Sequence, residues 1–475
     1  MASTYPVSAA VRWPRIPGLG SILDPQTRLL GNWLLVWVLL FNVAFIPMWF
    51  IGGPSRFVPI GVFAAIGLIA RNWPAWQRMA IFLVGLVYST IHFTAGTFNL
   101  NIWWLLDSLR FLGKMSPASS PEYFAAGAIL VTTGIIGTLL ARRSMAFAGR
   151  RQLGSAILAV VALMAADWSF TNGLSGHYTR EAPRDARFES ASTLSGWGAA
   201  SPSRDHRLLV MVESLGQPSG GTELERRLFA LYRTPAVRAR YTITTGKTLF
   251  YNSTTAGEVR ELCGRWGDYY ELLDRPDPGC LPAQLRRRGY DTIALHSFVG
   301  AFFDRAEWYP NVGFGQRVFR DALHARGAQK CGGVFAGVCD RDVPKQIGAL
   351  LAAAQKPTFV YWLTVNSHLP VPQGMNLEVD HCGQVSPALQ RDLPLICRQL
   401  AIWEAIDRAL VKAITADDFP ATDILIVGDH MPPYVDRTHR SQFDPEHVPW
   451  IRLTPLPQSN GPAMARAPKA GSGPA

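Results

Sequence analysis

The sequence predicts a two-part α/β protein: an N-terminal five-helix transmembrane bundle, then an outer domain built on a central, mostly parallel sheet. Three observations predict it. Five apolar stretches lie before residue 175 of the 475-residue chain, and nothing of comparable length follows. Beyond residue 206, short apolar runs of strand character alternate with helical segments, the pattern of a sheet with much parallel pairing. All six cysteines lie beyond residue 260, as expected of a domain on the oxidising side of a membrane.

The apolar stretches cover residues 30–51, 57–70, 79–95, 123–141 and 153–170. Most approach the roughly 20 residues that a membrane helix needs. The second is short and suits a tilted or partly interfacial span. Basic residues then set the orientation. Arg12, Arg15 and Arg28 precede the first span, Arg71 and Arg78 lie between the second and third, and Arg142, Arg143, Arg150 and Arg151 lie between the fourth and fifth. The other two loops hold only Arg56 in one case, and Arg110 and Lys114 in the other. The positive-inside rule puts the N-terminus in the cytoplasm, and an odd number of spans puts everything after about residue 175 outside. The first apolar segment is too long, and lies too far in, to be a cleavable signal peptide.

Five regions follow: a cytoplasmic N-terminus (1–29), the spans (30–172), a polar linker rich in Ser, Gly, Arg and Asp (173–206), the outer domain (207–455) and a Pro/Gly/Ala-rich tail (456–475) expected to be disordered. The outer loop between spans three and four contains Ile102-Trp103-Trp104-Leu105-Leu106, then Leu109 and Phe111-Leu112. It reads as an amphipathic helix lying at the interface, with Trp at head-group depth. The net charge of +11 is split across both sides of the membrane, which excludes a nucleic-acid footprint. Anionic lipid head groups and phosphate-bearing substrates suit it better. Six cysteines allow 15 pairings. Sequence neighbours are the simplest: Cys263 with Cys280, Cys331 with Cys339, and Cys382 with Cys397.

In the outer domain, strand-like runs cover residues 208–212, 241–245, 292–295, 358–365, 424–427 and 448–453, and helical segments cover 281–288, 343–354 and 389–414. Two of these strands end in chemistry. Ile424-Leu425-Ile426-Val427 stops in Gly428-Asp429-His430, and Leu208-Leu209-Val210-Met211-Val212 stops in Glu213-Ser214. Four apolar residues in a row suit a strand buried on both faces, and the tips of such strands are where open α/β sheets hold ligands. Taken singly, each acid is a turn or a helix cap as readily as a ligand. Together Glu213, Asp429 and His430 make three metal ligands. Ser253-Thr254-Thr255-Ala256-Gly257-Glu258 opens a short helix. Its hydroxyls are either ordinary caps or, at a helix N-terminus suited to phosphate, a metal-activated nucleophile.

Taken together, the five spans, the strand ending in Glu213, the Thr254-Thr255-Ala256-Gly257-Glu258 segment, an isolated His and the Gly428-Asp429-His430 strand resemble the sulfatase/alkaline phosphatase superfamily. Within it they are similar to the group holding lipoteichoic acid synthases, lipid A phosphoethanolamine transferases and periplasmic glucan phosphoglycerol transferases. The resemblance implies an alkaline-phosphatase-like outer domain at a bacterial inner membrane, facing the periplasm. It implies one divalent metal, Zn²⁺ or Mn²⁺, on Glu213, Thr254, Asp429 and His430. It also implies that Thr254, or Thr255 if the register is off by one, becomes a covalent phospho-threonine. His368 would hold the phosphate and protonate the leaving group. His296, Phe303 and Arg305 would bind the head group, Phe303 standing where the synthases have Trp. His439 and His447 are equal candidates for a second phosphate-binding His. The implied partners are a phospholipid donor and a glycan or lipid A acceptor, with the head group open between phosphoglycerol and phosphoethanolamine. The disulfides lean to the phosphoethanolamine side, and the Thr254 segment to the synthase side. A secreted-face phosphodiesterase or phosphatase and a non-catalytic lipid sensor are the rival readings. No Cys-x-Pro-x-Arg segment of a sulfatase nucleophile occurs, and no clear second ligand set for a two-metal alkaline phosphatase.

Overall fold

The structure, a computed structural model, describes residues 24–51, 53–98, 102–114, 121–171, 182–183, 185–199, 205–251, 253–434 and 436–457. Most of the expected cytoplasmic N-terminus, part of the linker and nearly all of the expected disordered tail lie outside these residues. The chain divides into two compact units: residues 1–97 with 124–175, and residues 98–123 with 176–475.

In the first unit, three helices among the described residues are long and apolar enough to cross a membrane: Ala75–Thr97, Tyr123–Leu140 and Arg150–Thr171. Phe57–Ala70 is a shorter apolar helix. The first apolar stretch differs from the single span expected. Helix Pro25–Trp33 continues as a π-helical run, Leu34–Leu40, then Phe41–Val43, and breaks before Met48–Ile51. Pro47 accounts for the break, because it lacks an amide hydrogen and clashes with the preceding turn. Asp167 of the last helix ties this break to the next helix. It accepts from Trp49 Nε1 (2.9 Å), Ser55 Oγ (2.8 Å) and the Arg56 amide (2.8 Å), so that a buried carboxylate caps the start of Phe57–Ala70.

Among the described residues the second unit has nine strands: β1 His206–Val212, β2 Tyr241–Leu249, β3 Asp291–His296, β4 Gln316–Val318, β5 Lys330–Cys331, β6 Gly337–Val338, β7 Thr358–Leu363, β8 Thr422–Gly428 and β9 His447–Pro455. Seven form one sheet in the order β2-β9-β8-β1-β7-β3-β4, and β5 and β6 pair separately. From β8 to β4 all neighbours are parallel, while β9 runs antiparallel to both β8 and β2. Every residue of β7 and β8 is buried, and all of β1 beyond His206, which is why these strands read as continuous apolar runs. Helices Leu281–Arg287, Val343–Ala352 and Pro394–Ile414 lie between strands in the chain. The helix expected over 389–414 is divided at Leu393, since a residue before proline is pushed out of the helical region (φ −142°, ψ 61°). β4, β5 and β6 were not legible because two or three residues show no periodicity. The six cysteines pair as sequence neighbours, 263–280, 331–339 and 382–397.

Candidate metal and phosphoryl-transfer site

Because β8, β1, β7 and β3 are parallel, their carboxyl ends open on one edge of the sheet. Register does the rest. Val212 of β1 pairs with Gly428 of β8, so the next residues, Glu213 and Asp429, stand side by side. A Cβ on Gly428 would lie 1.9 Å from the Leu215 carbonyl oxygen, so no other residue fits where the two chain ends meet. Ser214, with φ 55°, turns the chain sharply after Glu213. Its amide donates to Asp429 Oδ1 (2.7 Å) and its hydroxyl to Glu213 Oε1 (2.9 Å). The His430 amide also donates to Asp429 Oδ1 (2.7 Å). That leaves Asp429 Oδ2 buried, accepting no hydrogen bond.

His430 is fixed as a ligand would be. Its Nδ1 bonds the Met431 carbonyl (2.9 Å), which leaves Nε2 to face Asp429 Oδ2 (3.3 Å) and Glu213 Oε1 (3.4 Å). Glu213, Asp429 and His430 can each offer a ligand atom within 4.8 Å of the other two. The fourth expected ligand arrives on the Thr254–Cys263 helix. Thr254 Oγ1 donates to Glu213 Oε2 (3.1 Å) and lies 3.2 Å from His430 Nε2. It stands at the first position of the helix, where the unpaired amides and positive dipole end favour an anion. Thr255 turns away to Ser253 Oγ (3.0 Å), so the structure brings Thr254 to the cluster and not Thr255. Gly257, one turn on, has its Cα hydrogen against Asp429, where a Cβ would come within 3.2 Å.

Two buried carboxylates side by side are unfavourable without compensating positive charge. Burial, then the charge of Glu213, pushes the Asp429 carboxyl up to about 7. Burial disfavours the His430 cation, yet Asp429 and Glu213 outweigh it and lift the imidazole to about 9. Burial also acts on Glu213, but His368, His430 and the Ser214 hydroxyl hold it below the usual range. Such a cluster favours added positive charge. With the orphaned Asp429 Oδ2 and a His430 Nε2 turned toward both carboxylates and Thr254, the donor set fits a divalent cation.

His368 follows β7, with Nδ1 bonded to the Leu369 carbonyl (2.7 Å) and Nε2 4.0 Å from Glu213 Oε1. Asp340, which the sequence did not single out, holds this loop. Its Oδ2 accepts from the Val365 and Asn366 amides (3.0 and 2.7 Å). His296 ends β3 beside Leu363, buried and with Nε2 unpartnered. Burial, reinforced by Arg305, keeps it neutral well below its ordinary value.

The remaining expected residues sit differently. Arg305 is 2% exposed, with three of its five donors engaged: Nε and Nη2 donate to Glu258 Oε2 (3.0 and 2.8 Å) and Nη1 to the Phe302 carbonyl (3.0 Å). Its bonds to Glu258 and Phe302 tie the Thr254–Cys263 helix to the turn before Arg305. Phe303 packs against Phe302 and Tyr269. His439 pairs with Asp436 (2.6 Å) and His447 with Asp444 (3.1 Å), each on its own loop, and neither is hydrogen-bonded to the cluster.

Sequence reasoning also missed what holds the Thr254 helix. Glu258 accepts from Arg305, Tyr309 Oη (2.5 Å) and Tyr361 Oη (3.0 Å). Arg260 donates to the carbonyls of Gly428 (2.8 Å) and Asp429 (3.2 Å), gripping the ligand strand from below. The available signal was three charged residues, Glu258, Arg260 and Glu261, in a short helix carrying a candidate nucleophile. Glu258→Ala is expected to destabilise the outer domain by about 3–5 kcal/mol, since it leaves Arg305 buried and unpaired. Denaturant unfolding followed by near-UV circular dichroism checks this.

The alignment to a curated protein of Rhizobium meliloti (strain 1021), whose name provisionally assigns it to cyclic beta-1,2-glucan modification, is 27% identical over 172 residues. It covers 35% of this chain and 25% of that protein's length. The lipoteichoic acid synthase LtaP from Listeria monocytogenes superposes with a TM-score of 0.38 at 17% identity, over 57% of this chain and 73% of its own. The integral membrane lipooligosaccharide phosphoethanolamine transferase A (EptA) from Neisseria meningitidis does so with a TM-score of 0.44 at 12% identity, over 90% of this chain and 88% of its own. The family model of sulfatases matches residues 208–451, just over half of the chain and the whole stretch from β1 into β9, and the chain belongs to the sulfatase family.

Proposed function

We propose that the chain is a membrane-anchored, metal-dependent transferase. It moves a phospho-alcohol head group, phosphoglycerol or phosphoethanolamine, from a phospholipid to a surface glycan or to lipid A through a phospho-threonine. The observation that carries this reading is the Thr254 hydroxyl, held 3.1 Å from Glu213 Oε2 and 3.2 Å from His430 Nε2 at the start of a helix. Glu213, Thr254, Asp429 and His430 would hold the ion. A bound Zn²⁺ or Mn²⁺ supplies Lewis-acid charge there, lowering the hydroxyl pKa and attracting phosphate oxygens.

The chain's own residues do the rest. Thr254 Oγ1 gives up its proton to water and forms the bond to phosphorus as the bond to the diacylglycerol oxygen breaks, and it regains a proton from water when it is later displaced. The amides at the start of the Thr254–Cys263 helix receive the phosphoryl oxygens. His368 Nε2, free because Nδ1 is tied to Leu369, gives a proton to the departing oxygen and takes one from the acceptor hydroxyl. The acceptor oxygen then displaces Thr254. In this reading the chain sits in a bacterial inner membrane with its N-terminus cytoplasmic, five spans and the catalytic domain in the periplasm. The disulfides and the apolar helices support that placement. The name of the Rhizobium relative, which concerns a cyclic glucan, favours a glycan acceptor.

The full chain in liposomes of head-group-labelled phospholipid tests the reading. Diacylglycerol release should be accompanied by label on the glycan or lipid A, seen by mass spectrometry. Release into water that is indifferent to acceptor would assign a phosphodiesterase instead, and no release would overturn both.

A further inference from the structure

Residues 98–123 belong by their contacts to the outer α/β unit, although in sequence they join two helices long enough to cross a membrane. Within them helix Ile102–Ser108 runs into the 3₁₀ turn Leu109–Lys114. One side of this stretch is tied to the catalytic unit. Phe111 is 5% exposed, in an aromatic cluster with Phe298, Phe302 and Phe335. Its ring centroid lies 5.5 Å from that of Phe302 and 5.6 Å from that of Phe303. Arg110 pairs with Asp304. Phe303 and Asp304 have φ of 52° and 50°, a backbone shape that non-glycine residues hold only when neighbours enforce it. The cluster reaches the site, because Phe335 contacts Phe302 (5.4 Å) and His368 (3.9 Å).

The other side is apolar and open: Trp103 is 74% exposed, Leu109 50% and Leu112 49%. So many large apolar side chains on a short stretch mark an interaction surface. Its occupant follows from chain connectivity. Helix Ala75–Phe98 ends just before the stretch and Pro121–Leu140 begins just after it, so both ends are covalently held at a membrane surface. Trp is the residue of choice at head-group depth, and the exposed Lys114 suits anionic lipid.

We propose that residues 102–114 are a bilayer-contacting element of the catalytic unit. Trp103, Leu109 and Leu112 rest in the head-group region of the leaflet, while Phe111 and Arg110 hold the Phe302–Asp304 turn and, through Phe335, the wall beside His368. Only the activity arm of the test rests on the head-group-transfer reading.

All six cysteines are paired, so Leu109→Cys and Leu112→Cys create unique thiols for an environment-sensitive fluorophore on the full chain in nanodiscs. Lys356→Cys, exposed next to the amino end of β7, is the control. The labels at 109 and 112 should shift to the blue and be quenched by brominated phospholipid, and the control should be quenched by aqueous iodide alone. Iodide quenching without a bromolipid effect at 109 and 112 would overturn the proposal. So would shielding from both quenchers that disappears on dilution, which would assign the face to a second copy. In the activity arm, Leu109→Ser with Leu112→Ser should lower turnover of bilayer-held phospholipid about tenfold and leave a water-soluble phosphodiester unchanged, because neither side chain belongs to the aromatic cluster beside His368. Equal loss on both substrates would overturn the bilayer-contact role of Leu109 and Leu112, and absence of activity in the unsubstituted chain would sink the transferase reading while leaving the label result to decide this one.

Discussion

Thr254→Ala is expected to abolish head-group release, by about 10³-fold or more, and to leave no phosphoryl group trapped on the protein. The size follows from the geometry. Oγ1 is the hydroxyl oxygen that the fold brings to the Glu213–Asp429–His430 cluster and the nucleophile of the proposed reaction, and water occupying its place would not be held at the start of the Thr254–Cys263 helix. The loss should be kinetic, not structural. The side chain makes two hydrogen bonds, each worth about 1 kcal/mol net, so the variant should unfold within about 2 kcal/mol of the parent. Thr254→Ser retains the oxygen and should recover phospho-enzyme formation. Thr255→Ala should stay within about tenfold of the parent, because Thr255 Oγ1 bonds Ser253 and not the cluster. Incubation with labelled phospholipid, acid quench and peptide mapping reads all three variants. Label on Thr255, or release by Thr254→Ala, would remove Thr254 from the mechanism.

What made Thr254 findable in the sequence was its neighbourhood, not its own character. A Thr opening a helix is ordinary. The strand runs ending in Glu213 and in Asp429-His430 were legible because central parallel strands are apolar on both faces, so a charged residue marks where the strand leaves the core. Their adjacency was not legible, since it depends on the β1–β8 register across more than 200 residues. Arg305 shows the converse. An Arg beside aromatic residues looks like a head-group clamp, and only the fold reveals Glu258, 47 residues away, taking two of its donors. Asp340 and Arg260 act on backbone amides and carbonyls, and backbone partners have no sequence signature. The helix within residues 102–114 was legible from its run of Trp and Leu, but its attachment to the outer domain through Phe111 was not, because the partners Phe302 and Phe335 lie about 200 residues on.

Replacing the ligands should separate binding of the ion from the chemistry. The parent chain is expected to carry one Zn²⁺ or Mn²⁺ per polypeptide by elemental analysis, and Asp429→Asn or His430→Ala to carry almost none after the same dialysis. Loss of one of so few ligands at a compact site removes affinity outright, whereas a change to outer residues costs only about 10–100-fold. Stability supplies an independent readout. An ion bound at about 1,000 times its dissociation constant stabilises the folded state by about 4 kcal/mol, so a chelator should lower the melting temperature of the parent and leave that of Asp429→Asn unmoved. The comparison between chelated proteins carries a sign that a merely structural Asp429 would not produce. Asp429 Oδ2 is buried without a hydrogen bond and lies next to Glu213 in register, so it is there at the expense of stability. The isosteric Asn removes the like charge and keeps an acceptor for the Ser214 and His430 amides at the position of Oδ1. Chelated Asp429→Asn should therefore melt at or above chelated parent, while the loaded parent melts above both. If Asp429→Asn melts well below the chelated parent, the carboxylate is a structural cap of the β1–β8 tip, and the metal reading of the site fails with it.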